Sequence, residues 1–196
     1  MPSKHAFAYA LALAGGLLLP GAGSGQNGSS SGNDFPGAHP IWVELSAGGG
    51  ASRLSCEICE SERESGPTVD LAFGAYATPQ LRVGVQSGFW THSDEGFRET
   101  TYRAGVIAHL HPSTRSGLFL LTGLGWSGYR TGAFRTDTAR LTLGAGWDLP
   151  LASGWRVGNT LALDATAFGS LKRQDNTLAR GVGLSVIRLG VFLRRI

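Results

Sequence analysis

Residues 90–95, Trp-Thr-His-Ser-Asp-Glu, place a serine, a histidine and two carboxylates within six positions. A serine hydrolase uses these three kinds of group: the histidine takes the proton of the serine hydroxyl, and a carboxylate orients the histidine. In such enzymes separate backbone elements aim the three groups at one another. Residues that follow one another on a single turn more often face solvent. We therefore expect His92 and Ser93 to belong to a solvated turn, and a hydrolytic enzyme is the alternative.

Cys56 and Cys59 are the second candidate for chemistry, a Cys-x-x-Cys pair in an acidic segment. Four glutamates surround the pair: Glu57, Glu60, Glu62 and Glu64. With Glu57, Glu60, Glu62 and His92, the two thiols could form a metal site. A cysteine pair in an exported protein is normally oxidised, however, and neighbouring carboxylates disfavour the thiolate that catalysis requires. We predict a structural disulfide between Cys56 and Cys59, with metal binding as the alternative.

His109 and His111 lie two positions apart and share one face of an extended chain. A zinc site needs three or four ligands, and the sequence places no third one beside them. We expect a pair of structural histidines. No catalytic set, metal site or cofactor motif is predicted anywhere in the chain.

The first 40 residues predict export. An apolar stretch at residues 6–19 follows a basic start and is shorter than the roughly 20 residues of a membrane-spanning helix. Proline and small residues come directly after it, in the order typical of a signal peptide. We interpret residues 1–25 as a signal peptide cleaved between Gly23 and Gln26. Residues 26–40 are rich in glycine, serine and asparagine and predict a flexible leader.

The composition indicates one domain with no affinity for nucleic acid. The chain has 196 residues and a net charge of +3, and its 17 basic residues are mostly arginines scattered singly. A protein that follows a phosphate backbone needs clustered basic residues. The 30 glycines are about twice the usual share, and the 16% of charged residues is below the usual share of about 25%.

From residue 41 onward, apolar residues recur at every second position, which is the period of a β-strand. Eight segments show this pattern: Ile41–Gly50, Val69–Tyr76, Leu81–Trp90, Thr101–Leu110, Leu118–Ser127, Arg140–Asp148, Arg156–Ala165 and Ile187–Arg194. Helical spacing is not sustained over three turns anywhere in this region. The pattern predicts an all-β domain over residues 41–196.

The links between these segments alternate in length and composition. Three are short and contain proline: Thr78–Gln80, His111–Gly117 and Pro150–Gly154. The others are longer and polar: Ser55–Pro67, Ser93–Arg98, Tyr129–Asp137 and Gly169–Thr177. Short turns at one end and longer loops at the other are typical of a bacterial outer-membrane barrel. We therefore predict an eight-stranded antiparallel up-and-down transmembrane β-barrel.

The two faces of the segments differ in a way that decides which face is inside. One face is almost continuously apolar, as lipid requires. The other is rich in glycine and carries four acids and five arginines: Glu44, Asp70, Arg82, Arg103, Arg140, Asp148, Arg156, Asp164 and Arg188. An eight-stranded barrel is just wide enough for its own side chains, so opposite charges can pair inside it. We predict a polar network in the lumen and aromatic girdles at both ends of the apolar face. Trp147 and Trp155 form the girdle at the turn end, and Phe89, Tyr102 and Trp126 form the girdle at the loop end.

Residues 41–196 resemble the small outer-membrane β-barrel domain family of bacteria, with the layout of OmpX and of the OmpA membrane domain. The pattern carries this resemblance, together with Gly-Leu-Gly-Trp at residues 123–126 and Leu-Gly-Ala-Gly-Trp-Asp at residues 143–148. The resemblance implies residence in the bacterial outer membrane, contact with its lipid, and insertion by the barrel-assembly machinery, which reads the final strand. It implies no activity.

Two functional classes follow from these observations. We expect a structural or surface-interaction protein with a filled lumen, whose loops are displayed outside the cell to a partner that the sequence does not name. The alternative is an outer-leaflet lipid-modifying enzyme built on the same barrel, with its site near residues 90–95. A diffusion pore is disfavoured, because eight strands leave no room for one.

Overall fold

The computed structural model describes residues 41–56, 62–94, 96–166, 169–173 and 176–196. The predicted signal peptide (1–25) and leader (26–40) lie outside these residues. The described strands are β1 (Ile41–Ser55), β2 (Glu64–Thr78), β3 (Leu81–Asp94), β4 (Phe97–Leu110), β5 (Leu118–Thr131), β6 (Phe134–Pro150), β7 (Trp155–Thr166), β8 (Gly169–Arg173) and β9 (Asn176–Arg195). One 3₁₀ turn, Ala152–Gly154, joins β6 to β7. In this part of the chain no helix is long and apolar enough to cross a membrane.

The strands form one closed antiparallel sheet. Each of β1 to β7 pairs with the next, β7 pairs with β9, and β9 returns to pair with β1, from Val43↔Arg195 to Ser55↔Gly183. The short β8 lies at one end, between β9 and β6. The ring therefore has eight strands, and each of the eight predicted segments lies inside one of them. The predicted eight-stranded barrel is confirmed.

The prediction of longer loops at one end is wrong for most of the residues concerned. Residues 93–98 belong almost entirely to β3 and β4, and the turn between β5 and β6 is only Gly132-Ala133. Gly132 has a φ of +51°, a conformation that glycine adopts without steric cost. Within residues 169–177, all the described positions lie in β8 or β9. Polar residues dominate here because the strands continue beyond the apolar belt, and a ladder in water can carry polar side chains on both faces.

The outward face is apolar along the middle of every long strand. Its exposed side chains include Leu45, Leu71, Phe73, Val85, Val106, Leu120, Leu124, Leu141, Leu143, Leu161, Leu189 and Val191. Aromatic side chains lie on this face towards its two ends: Phe89 and Trp126 at one, and Trp147 and Trp155 at the other. The predicted girdles are present in this part of the chain, except that Tyr102 is half-buried.

A cluster of apolar side chains lies inside the barrel near the short turns. Its main members are Trp42, Ile107, Phe119, Leu121 and Phe192. Ile107, Phe119 and Leu121 interrupt the alternation in sequence because they fill this end of the lumen. The lumen glycines make room for the rings: a Cβ on Gly146 would lie 2.4 Å from Phe119 Cζ, and one on Gly158 would lie 2.6 Å from Phe192 Cζ.

Candidate functional site

All nine residues of the predicted polar network face the interior of the barrel. Eight of them are at most 7% exposed, and the side chain of Arg156 is 24% exposed. The strands bring them together because inward positions recur at every second residue, and the ring closes these positions around one axis. The charges divide into two groups along that axis, a central cluster and a turn-end cluster.

The central cluster contains Asp70, Arg103, Arg140, Asp164 and Arg188. Arg188 joins the two acids: its Nη1 lies 2.9 Å from Asp70 Oδ2 and its Nε lies 2.7 Å from Asp164 Oδ2. Arg103 Nε donates to Asp70 Oδ1 at 2.8 Å. Arg140 is paired more weakly, with its Nη1 3.6 Å from Asp164 Oδ1. The cluster ties β2, β4, β6, β7 and β9 together across the lumen.

Two threonines complete the hydrogen bonding of the central cluster. Thr142 Oγ1 donates to Asp164 Oδ1 at 2.6 Å, and Arg103 Nη2 donates to Thr68 Oγ1 at 2.5 Å. Arg140 is different, because none of its three guanidinium nitrogens has a hydrogen-bond partner among the described residues. A buried donor left in this state costs about 1–3 kcal/mol.

The turn-end cluster is centred on Asp148, which accepts from three arginines. Arg156 Nη2 lies 2.5 Å from Oδ1, and Arg194 Nη1 and Arg82 Nη1 lie 2.7 Å and 3.3 Å from Oδ2. Arg194 also donates to Glu44, its cross-strand neighbour on β1. The pair Glu44–Arg194 therefore joins the first strand of the ring to the last.

Arg194 is the main residue that the predicted network lacks. Its side chain is fully buried, and its guanidinium lies 4.6 Å from the ring centre of Phe192 and 5.4 Å from that of Phe119. A signal for it was available, because Arg188 and Arg194 lie six residues apart and thus on the same face of one strand. With Arg194 included, six arginines and four carboxylates fill the described lumen.

The space left between the two clusters is small. A cavity of about 20 Å³ lies there, lined in part by Glu44, Asp70, Gln86, His109 and Arg188. This is room for about one water molecule. The arrangement can hold charges in fixed pairs inside the barrel.

The structure separates the groups of residues 90–95 instead of assembling them. His92 faces inward at the rim, where its ring stacks on Trp90, its Nδ1 lies 2.8 Å from the carbonyl oxygen of Ser65, and its Nε2 lies 3.3 Å from Glu64 Oε2. Ser93 is the next residue of the same strand and points to the other face. The serine hydroxyl and the imidazole therefore do not meet, and the described polar partners of His92, Ser65 and Glu64, come from β2.

His109 and His111 pack beside Phe119, with ring centres 5.0 Å and 5.5 Å from it. His109 Nδ1 lies 3.1 Å from Arg194 Nη2, and since arginine can only donate, Nδ1 accepts. His111 follows the end of β4. The pKa of His111 is lowered to about 4, mainly because the side chain is buried and secondly because the positive charge of Arg82 lies nearby. Among the described residues no group of three or more potential ligands forms a metal site.

The predicted disulfide falls only partly on the described residues. Cys56 directly follows β1, whereas Cys59 lies outside the part of the chain that the structure describes. The bridge between them stays a prediction.

Solved structures similar to this one are small outer-membrane barrels. Neisserial surface protein A (NspA) matches at a TM-score of 0.50 and 13% identity, over 78% of this chain and 95% of that one. Ail, the attachment invasion locus protein of Yersinia pestis, matches at 0.47 and 13%, over 78% and 97%. OprG from Pseudomonas aeruginosa matches at 0.42 and 11%, over 82% and 99%. No family model and no curated protein matches the sequence. The likeness to NspA shows that the chain has the fold of these eight-stranded barrels.

Proposed function

We propose that this chain is an integral outer-membrane β-barrel protein of a bacterium, with a structural or surface-interaction role and a lumen closed by its own side chains. One observation carries the proposal: the distribution of polarity is the reverse of that in a water-soluble barrel. Leu124 and Trp126 on the outer face are 66% and 70% exposed, while Arg103, Arg140 and Asp148 inside are at most 2% exposed. Such an exterior favours lipid as its solvent.

The height of the apolar belt supports this proposal. On β6 the outward residues from Ala139 to Leu149 are apolar, and all of them except the half-buried Ala145 are exposed. Ten steps along a strand cover about 34 Å, or roughly 26 Å of height at a tilt near 40°. The apolar band of outer-membrane barrels is about 25 Å tall. The height of the apolar belt of this barrel therefore matches that of the apolar band of outer-membrane barrels.

The two ends of the barrel suggest its orientation. Short turns, together with the start of β1 and the end of β9, lie at one end, and the strands extend beyond the belt at the other. In outer-membrane barrels short turns face the periplasm and the longer connections face outward. We infer that the tips of β1–β2, β3–β4, β5–β6 and β8–β9 are displayed outside the cell. The proposal includes insertion by the barrel-assembly machinery.

The contents of the lumen favour a closed barrel and disfavour a pore. The central cluster, the turn-end cluster and the apolar cluster fill the described part of the lumen. The lipid-modifying enzyme has less support, since Ser93 and His92 face opposite sides of β3.

Cell fractionation and a gel assay test the membrane proposal. We expect the mature protein in the outer-membrane fraction and a change in gel mobility on heating, because a closed barrel resists detergent until it is heated. Recovery as a soluble periplasmic protein would refute the proposal. In planar bilayers we expect no stable channel current, and a large steady conductance would refute the filled lumen.

A further inference from the structure

His92 and Glu64 lie together at the rim of the barrel that is away from the short turns. Both side chains face inward, and both are partly exposed to solvent. The imidazole Nε2 lies 3.3 Å from Glu64 Oε2. Neither residue belongs to the central or the turn-end cluster. We call these two residues the rim pair.

The contact of the other ring nitrogen fixes where the proton of His92 lies. Nδ1 lies 2.8 Å from the carbonyl oxygen of Ser65. A carbonyl oxygen can only accept a hydrogen bond, so Nδ1 carries the proton. A neutral imidazole has a single N–H, which leaves Nε2 with a lone pair beside the carboxylate of Glu64. Two acceptors that lie this close are stabilised by a cation between them.

The separation of these two acceptor atoms is the spacing of two ligands of one metal ion. A charge-assisted N–H···O bond measures about 2.7–2.9 Å, and the distance from Nε2 to Oε2 is longer, at 3.3 Å. Zinc lies about 2.0–2.1 Å from a histidine nitrogen and about 2.0–2.2 Å from a carboxylate oxygen. At a tetrahedral angle, bonds of these lengths place the nitrogen and the oxygen about 3.4 Å apart. The rim pair therefore fits a tetrahedral ion.

The surroundings hold the imidazole in this position. Its ring stacks on Trp90, with the ring centres 6.2 Å apart and the planes 11° apart. The indole is itself fixed, because it is fully buried and its Nε1 donates to the carbonyl oxygen of Gly50 at 3.0 Å. Metal-binding histidines usually donate their other ring N–H to a carboxylate or a backbone carbonyl. The Ser65 contact therefore orients Nε2 as a metal ligand requires.

The charges beside the rim pair favour a cation. Glu99 on β4 is the cross-strand partner of His92 and faces the same side of the sheet. With Glu64 on β2, carboxylates therefore flank the imidazole on both neighbouring strands. The guanidinium groups of Arg63 and Arg98 do not compete for this position, because they donate to the carbonyl of Ala51 and to the hydroxyl of Thr91.

We propose that the rim pair binds a Zn²⁺ ion, with water at the remaining positions. A histidine nitrogen together with a carboxylate oxygen is a donor set that suits Zn²⁺, whereas Mg²⁺ and Ca²⁺ take oxygen ligands. Because both side chains are partly exposed, the ion can enter from solvent and exchange with it. The inference goes beyond the proposed function and depends on it only for the side of the membrane that this rim faces.

A zinc titration of the folded barrel tests the inference. The chain is purified in detergent, washed with a chelator and titrated with Zn²⁺ in a calorimeter. Every chain in the experiment carries Cys56→Ser and Cys59→Ser, so that thiols cannot supply the ligands. Heat-dependent gel mobility confirms that each variant is folded.

Two test variants and two matched controls are compared with this thiol-free chain. The test variants are His92→Gln and Glu64→Gln. His111→Gln makes the same change as the first at the opposite end of the barrel. Asp137→Asn removes an exposed carboxylate at the same end as the second, on β6.

We expect the thiol-free chain to bind one equivalent of Zn²⁺. Loss of a mere hydrogen-bond partner of a metal ligand already costs about 10–100-fold in affinity, so each test variant should bind at least about tenfold more weakly. Each control is distant from the rim pair and should change affinity by less than about twofold. An excess of Mg²⁺ should not displace the zinc.

The inference is overturned if the thiol-free chain binds no zinc, if Mg²⁺ displaces it, or if a test variant binds as tightly as its control. Should one test variant not fold, the other decides the outcome by the same comparison. The experiment is separate from the test of the proposed function. A heat-modifiable barrel that binds no zinc contradicts only the metal site, whereas a zinc-binding chain that fractionates as a soluble protein contradicts only the outer-membrane location.

Discussion

We expect Asp164 to stabilise the central cluster and Arg140 to add little to its stability. One substitution at each residue tests this difference. Asp164 is 2% exposed and receives hydrogen bonds from Arg188 and Thr142. Asp164→Asn keeps the shape of the side chain but leaves Arg188, Arg103 and Arg140 with one carboxylate, Asp70. Loss of one partner from a buried ion pair costs about 3–5 kcal/mol. We expect the free energy of unfolding to fall by about that amount.

Arg140→Met removes the one arginine of this cluster whose guanidinium nitrogens have no hydrogen-bond partner in the described chain. Its nearest acid, Asp164, keeps Arg188 and Thr142. Replacing a poorly satisfied buried charge by an apolar side chain of similar volume is often neutral or stabilising. We expect the free energy of unfolding to stay within about 1 kcal/mol of the native value, or to rise.

Urea titration in lipid vesicles, followed by tryptophan fluorescence, measures both variants against the native chain. The difference between the two variants is the decisive quantity, since they change the net charge of the lumen in opposite directions. If Arg140→Met costs as much as Asp164→Asn, or if Asp164→Asn costs less than about 1 kcal/mol, the cluster is not held by the pairs described above.

Three further predictions concern the belt, the turn end and the first connection. Leu143→Arg, on the outer face near the middle of the belt, should lower the free energy of unfolding by about 2–4 kcal/mol, whereas Thr177→Arg, beyond the belt on β9, should change it by less than about 0.5 kcal/mol. Equal costs in the same urea titration would mean that this face does not contact lipid. His111 has a pKa of about 4 in the folded chain against 6.5 for the free side chain, so the unfolded chain binds more protons between these values and stability should fall as pH drops from about 6.5 to about 4. His111→Gln should flatten that part of the stability-versus-pH curve. An unchanged slope would show that protonation of His111 does not cause this loss of stability. Mass spectrometry of the exported protein should find Cys56 and Cys59 bridged, about two mass units below the dithiol. The double serine variant should still assemble, because so short a loop adds little chain entropy; free alkylatable thiols or stoichiometric zinc would favour the metal alternative.

The alternation of residues by itself determined the number of strands and the two faces of the barrel. A period of two is a local property, and it needs no knowledge of which strand lies beside which. The charge content of one face then separated a lipid-facing barrel from a water-soluble one. This is how nine inward residues, from Glu44 to Arg188, could be named before any pairing was known.

Only the tertiary structure decided which charges meet. Arg188 joins Asp70 across 118 positions, and Arg194 joins Glu44 across 150 positions, because β9 closes the ring on β1. Such contacts depend on the register and stagger of all eight strands together, and no local pattern encodes these. The alternation places Ile107 on the inward face, but the space that lets the Phe119 ring fit inside a polar lumen depends on glycines of neighbouring strands, such as Gly146.

The sequence pattern also did not predict where the strands end. Beyond the lipid belt, residues such as Thr131 and Asp137 face water or a hydrated rim, so polarity no longer distinguishes a strand from a loop there. Cross-strand hydrogen bonds hold those segments extended, and these bonds exist only once the neighbouring strands are in place. Three basic residues of this region, Arg130, Arg135 and Lys172, are scattered along the chain, and the register of β5, β6 and β8 makes them neighbours.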